Sequence, residues 1–207
     1  MSNQSPESGL LSVDARRRRA TILQAKAASH PLRLRILRLC GQQPMTNKQL
    51  ADRLHCQPGT TLYHVRLLVE AGLLEPAPIR TGTSGALEKP YRSTGQSWWL
   101  SGYGDTDEGE PYDDRDEESS VATIEAFQAE LREAGPGSVR TSARFMLHLS
   151  EEDVRELDRR ILEVLDEYIL TDHQRLDRPA LGGIVVIHQL ADPVAQQPGQ
   201  PHPRPRS

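Results

Sequence analysis

Only two cysteines, Cys40 and Cys56, occur in 207 residues. They make no disulfide framework, so a reducing cytoplasm is the expected compartment. Aromatic residues are 4% of the chain and hydrophobic residues 36%. That is thin for one compact core, and a packed fraction with disordered segments is expected. No stretch approaches the ~18 apolar residues of a membrane span, and the polar N-terminus leads into no signal-peptide core. Motifs of catalysis are missing too: no Gly-rich phosphate loop, no Ser or Cys nucleophile motif, no HExxH. The acidic run 105–118 lacks the rigid setting that paired catalytic carboxylates need. No enzymatic activity and no cofactor are therefore expected. Cys56 has His55 beside it and His64 one helix on, but the spacing matches no strong zinc template. No metal site is expected.

What is present is an uneven charge. The net charge is −4, yet residues 1–101 hold 14 Lys/Arg against 6 Asp/Glu, a net of +8, and residues 102–207 carry −12. The basic half is where a polyanion would bind. Lysine is scarce, 3 against 22 arginines. A GC-rich genome explains such a bias, so it is not read as arginine-specific chemistry.

Residues 1–12 read as disordered, and the pattern from Val13 to Ala28 as helical, with Arg16–Arg19 at its start. "HPLRLRILRLC", residues 30–40, reads as a helix: Pro31 suits the first turn, and Leu32, Ile36 and Leu39 repeat at helical spacing. Arg33, Arg35 and Arg38 are expected to face away, and Gly41 to end the helix. "MTNKQLADRLH" predicts a third helix, with Thr46 and Gln49 as a capping box. "CQPG" is a tight turn before "TTLYHVRLLVEAG". Three short helices, the last two joined by a tight turn, outline a helix-turn-helix. Leu73–Ile79 and Lys89–Thr94, separated by a Thr/Gly/Ser run, predict a hairpin directly after it, a wing. Trp98 and Trp99 are expected to cover the core of this half.

Residues 102–118 are acidic and read as a linker. Residues 119–134 predict an amphipathic helix, and "GPGS" breaks it. "ARFMLHL" (143–149) and "GIVVIHQL" (183–190) alternate like strands around a helix over 151–170 capped by Ser150. This predicts a small α+β unit for dimerisation or effector binding over 119–191, then a disordered Pro/Gln-rich tail from 192. No internal repeat is present.

The helix over 60–72 divides into two faces. Thr61, Leu62, Leu68 and Val69 fall within about 60° of Val65 on a helical wheel and make the packed stripe. Thr60, Tyr63, Arg66 and Glu70 lie on the outer side, with His64 about 100° from Val65, on the border. A hydroxyl, a phenol, a guanidinium and an imidazole near a helix N-terminus suit the major groove and its flanking phosphates. A merely polar surface would account for the same residues singly; the capped helix and turn before them and the wing after them favour recognition.

In these elements the chain resembles the ArsR-like winged-helix transcriptional regulators. "HPLRLRILRLC" is similar to their leading helix, "MTNKQLADRLHCQPGTTLYHVRLLVEAGLLE" to their helix-turn-helix, and "KPYRST" to their second wing strand; the resemblance covers residues 26–95. It implies a mainly α fold with a β-wing over 13–101, a homodimer on a palindromic double-stranded DNA operator, and, as in many members, repression. It implies DNA contacts by Thr60, Tyr63, His64 and Arg66, wing contacts to phosphate by Arg80 and Arg92, and dimerisation through the helix before His30 and a segment after the wing. The paired cysteines of the metal-sensing members have no counterpart in "TNKQLADRL". The alternative is a winged-helix module that binds protein rather than DNA, with the acidic half as its main contact surface.

Overall fold

The computed structural model of the chain describes residues 18–82, 85–101 and 114–190, with side chains described over 20–82, 85–97 and 121–190. The expectations for residues 1–12, for the tail from 192 and for the two tryptophan side chains lie outside them. A two-residue strand, β1 (Arg18–Arg19), leads to helix α1 (Ile22–Ala28). The expected helix from Val13 thus starts later. Thr21 and Gln24 close a capping box at its N-terminus, and the backbone of Arg18–Arg19 pairs in parallel with β7 (Leu100–Ser101) instead.

Helix α2 (Pro31–Gln42) opens on Pro31, with His30 as its N-cap, and runs past Gly41. Strand β2 (Met45–Thr46) precedes helix α3 (Asn47–Leu54), which is held by the predicted box between Thr46 and Gln49. His55 ends α3 in the left-handed region, φ 54°, and its N–H reaches back to Ala51 and Asp52. Helix α4 (Pro58–Glu70) then starts on Pro58. Gly72 stops it, at φ 70°. The Leu73 N–H bonds to Leu68 O at 2.9 Å and the Gly72 N–H to Val69 O at 3.0 Å, the paired bonds of a Schellman cap.

The wing follows. Strand β3 (Leu74–Pro76) and β6 (Pro90–Ser93) pair antiparallel, and β2 joins the other edge of β6. Beyond them β4 (Arg80–Thr81) and β5 (Leu87–Glu88) extend the hairpin. The core lies between the helices and this sheet: Ile36, Leu50, Val65, Leu68 and Leu73 are fully buried and Leu74 nearly so. Each such side chain contributes about 1.5–3 kcal/mol when taken from water. The fold is thus mainly helical, a helix-turn-helix with a wing-like hairpin.

Helix α5 is described over Asp114–Ala134, so residues 114–118 of the segment expected to be linker are helical. Ala122 and Ala126 bury one face of α5. Glu133 pairs with Arg35 at 3.1 Å and also with Arg53, and Glu130 lies 3.7 Å from Arg38. Arg35 and Arg38 therefore meet α5 rather than open solvent. Arg33 turns inward as well, 8% exposed, and donates to Ala27 O at 2.7 Å and to Lys26 O at 2.5 Å. It closes the C-terminus of α1, where free carbonyls attract a cation.

Helix α6 (Glu151–Leu170) has the expected Ser150 cap with Asp153 in the box. The expected strands around it do not form. Residues 139–149 and 179–190 carry no regular secondary structure and pair with no strand among the described residues. Alternation supplies an apolar face, but a ladder also needs a neighbouring backbone.

Candidate nucleic-acid interface

Burial along α4 follows the helical period. Thr61, Val65 and Leu68 are enclosed, while Thr60, Tyr63, Arg66 and Glu70 face outward. Thr61 Oγ1 donates to Gln57 O at 3.2 Å, which spares its buried hydroxyl an unmet hydrogen bond. Tyr63 is 59% exposed, unusual for a tyrosine with no covering partner.

His64 points the other way. It is 7% exposed, its ring 4.6 Å from that of His30, and Tyr63 meets it edge-on at 5.3 Å. Burial lowers the pKa of both histidines, and the Arg33 charge adds to this at each. His30 Nδ1 accepts from the Leu32 N–H at 3.1 Å, which requires that nitrogen unprotonated. His64 thus lies beneath the outer face of α4, where the neutral ring packs against the start of α2. This arrangement leaves its ring no surface contact to make.

The start of α3 lies beside the start of α4. Asn47 Nδ2 donates to Pro58 O at 3.0 Å, so both helix N-termini and their free N–H groups come to one end of the domain. Lys48 sits exposed in the first turn of α3. The wing reaches the same place: Arg80 Nη2 donates to Gln49 Oε1 at 3.3 Å, and Arg80 Nε to Glu88 at 2.9 Å. Arg92 is instead tied to Glu75 across β3 and β6 at 2.6 Å. Of the predicted residues, the structure places Thr60, Tyr63 and Arg66 on one exposed face and fastens Arg80 beside it. Arg92 sits on the sheet in an ion pair, and His64 sits underneath. Sequence reasoning missed Asn47, Lys48 and Gln49. Their position in the first turn after a capping residue was the signal for them, since that is where a helix offers free N–H groups.

Arg66, Lys48 and Lys89 form no ion pair among the described residues. Burial pushes the Cys40 thiol up to about 12, so it is a core group and not a nucleophile. No group of three or more His, Cys, Asp or Glu is placed to hold a metal ion among the described residues. No helix among them is long and apolar enough to cross a membrane.

Residues 28–77 match the family model of a helix-turn-helix domain. The match runs from the end of α1 to just past β3 and leaves the distal wing, α5 and α6 outside it. No curated protein matches the chain. The helix-turn-helix domain points to a DNA-binding regulator.

Proposed function

We propose that the protein is an ArsR-like transcriptional repressor that binds a palindromic DNA operator as a homodimer in the cytoplasm. One observation carries the reading: α4 presents Thr60, Tyr63 and Arg66 on a single uncovered face, with Asn47 of α3 bonded to Pro58 at its N-terminus and Arg80 of the wing bonded to Gln49 of α3. In this reading α4 enters the major groove. Arg66 forks onto a guanine edge or a phosphate, Thr60 bonds a base or phosphate, and Tyr63 contacts phosphate or a thymine methyl. Arg80 and Lys48 take flanking phosphates, and Arg92 does so after leaving Glu75. His64 serves by packing under Tyr63 rather than by touching DNA.

Dimerisation is assigned to α1, to α5 and to the region 119–191. Ile22, Leu23, Val121 and Ile124 support this, since they leave apolar surface exposed on α1 and α5. The sequence of the operator follows from selection of bound DNA out of a random library with the full chain. An enriched palindrome is the expected result. No enrichment, together with no salt-sensitive binding, would sink the reading in favour of a winged helix that binds protein.

A further inference from the structure

The apolar surface of the C-terminal region is self-complementary. On α6, Val154, Leu157, Ile161, Val164 and Tyr168 recur at alternating steps of three and four residues, the heptad seam of a helix pair. Val164 is 56% and Tyr168 64% exposed, with the Arg175 guanidinium 5.7 Å from the centre of the Tyr168 ring as a partial cover at the C-terminal end of that seam. The ion pairs within α6 lie away from it: Arg159 bonds Glu156 and Glu163 at 2.8 and 2.5 Å. They leave Val154, Leu157, Ile161 and Val164 clear of these pairs, and Arg175 over Tyr168 is a cation at the end of the seam.

The flanks of the seam say what covers it. Asp153, Arg160 and Glu167 line one flank, seven residues apart; Asp158 and Leu165 line the other. In a parallel pair opposite flanks meet, which sets Asp153 against Asp158 and Arg160 against Leu165. In an antiparallel pair like flanks meet. The register that stacks Ile161 on Val164 and Leu157 on Tyr168 then brings Arg160 opposite Glu167, twice by symmetry. Arg160 is highly exposed and spans only to Glu156 within its own helix, while Glu167 has no ion pair among the described residues.

The extended segments agree with this occupant. Residues 143–149 and 183–190 make no backbone–backbone hydrogen bonds among the described residues. Phe145, Met146, Leu147 and Leu149 are all exposed in the first. Leu149 abuts the Ser150 cap with no turn between, so this segment does not fold back along its own helix. Exposed apolar segments with unpaired backbones are open to pairing with another chain, and a second copy brings the same two.

We propose that α6 pairs antiparallel with α6 of a second copy, Ile161 against Val164 and Arg160 against Glu167. The inference rests on the homodimer proposed above and locates its seam. The test is the mass of the full chain by sedimentation and light scattering over a concentration series, for the wild type, Arg160→Glu, Glu167→Arg and the double variant. Helicity is followed by circular dichroism. Each single change is expected to weaken the dimer about ten-fold, by turning two attractions into two repulsions, and the double variant to recover it. Recovery excludes simple misfolding, because a misfolded single variant would not be mended by a second charge reversal. Single variants that dimerise like the wild type, or a double variant that stays weak, overturn the α6 seam and leave the homodimer standing. A wild-type chain that is monomeric throughout overturns both, while selection of operator DNA continues to judge the DNA-binding reading by itself.

Discussion

The His30 and His64 rings lie 4.6 Å apart at 45°, joining the first residues of α2 to the underside of α4. His64 Nδ1 is buried with no hydrogen-bond partner among the described residues. Around the pair stand Arg33 on α2, Tyr63 on α4 and Glu125 on α5. Arg33 disfavours a charged imidazole at both sites, and Glu125 favours one at His30. Where the start of α2 meets α4, burial thus disfavours protonation of both imidazoles.

Stability should therefore fall on mild acidification. Both pKa values lie below the unfolded value of about 6.5. Below that pH the unfolded chain takes up protons that the folded chain refuses. The contribution is complete above about pH 6.5 and is lost as pH drops toward the lowered folded values. Urea midpoints between pH 7.5 and 5 should decline less steeply for His64→Phe than for the wild type. Equal slopes would show that His64 has no part in the acid sensitivity.

Arg66→Ala should weaken binding to the selected operator by about 1–3 kcal/mol, and binding to random DNA far less. Fluorescence anisotropy on both duplexes measures this. Equal losses on the two would contradict base reading by Arg66. Lys48→Ala should instead weaken both alike and lower the slope of log affinity against log salt by about one.

Gly72→Ala is expected to destabilise the fold by more than about 1 kcal/mol, since an alanine at φ 70° strains the backbone. The space around a new Cβ is open there, so conformation and not crowding is the cause. A thermal midpoint equal to that of the wild type would refute this.

Glu133→Gln removes a carboxylate shared by Arg35 and Arg53. The pairs are only partly buried, so the global cost should stay below about 1 kcal/mol. Hydrogen exchange in the last turn of α5 should nevertheless quicken, because this end of the helix is held to α2 and α3 by charge. Unchanged exchange there would mean that Ala122 and Ala126 suffice to dock α5.

The helix-turn-helix was legible because its signals are local. Thr46 and Gln49 declare the start of α3 and Gly72 the end of α4, while Pro58, read as part of the turn, already opens α4. The apolar period around Val65 sorted the faces of α4 without any tertiary knowledge. His64 stood at the edge of that wheel, where the period does not separate buried from exposed. Its position is decided by His30, which belongs to another helix. Arg33 escaped for the same reason: its spacing places it among solvent-facing arginines, but the carbonyls it binds lie on α1. Residues 114–118 read as linker because composition reports charge and not backbone conformation, yet they are helical. Residues 143–149 and 183–190 alternate as strands do, yet alternation describes one chain, and pairing takes two.

Gln49 carries a last consequence. Its amide oxygen accepts from the Thr46 N–H at 2.9 Å and from Arg80 at 3.3 Å. One acceptor serves both as the latch of α3 and as the mooring of the wing. Anything more strongly charged that draws Arg80 away leaves the latch closed, since the Thr46 bond is untouched. The wing can then shift while the helix beside it keeps its shape.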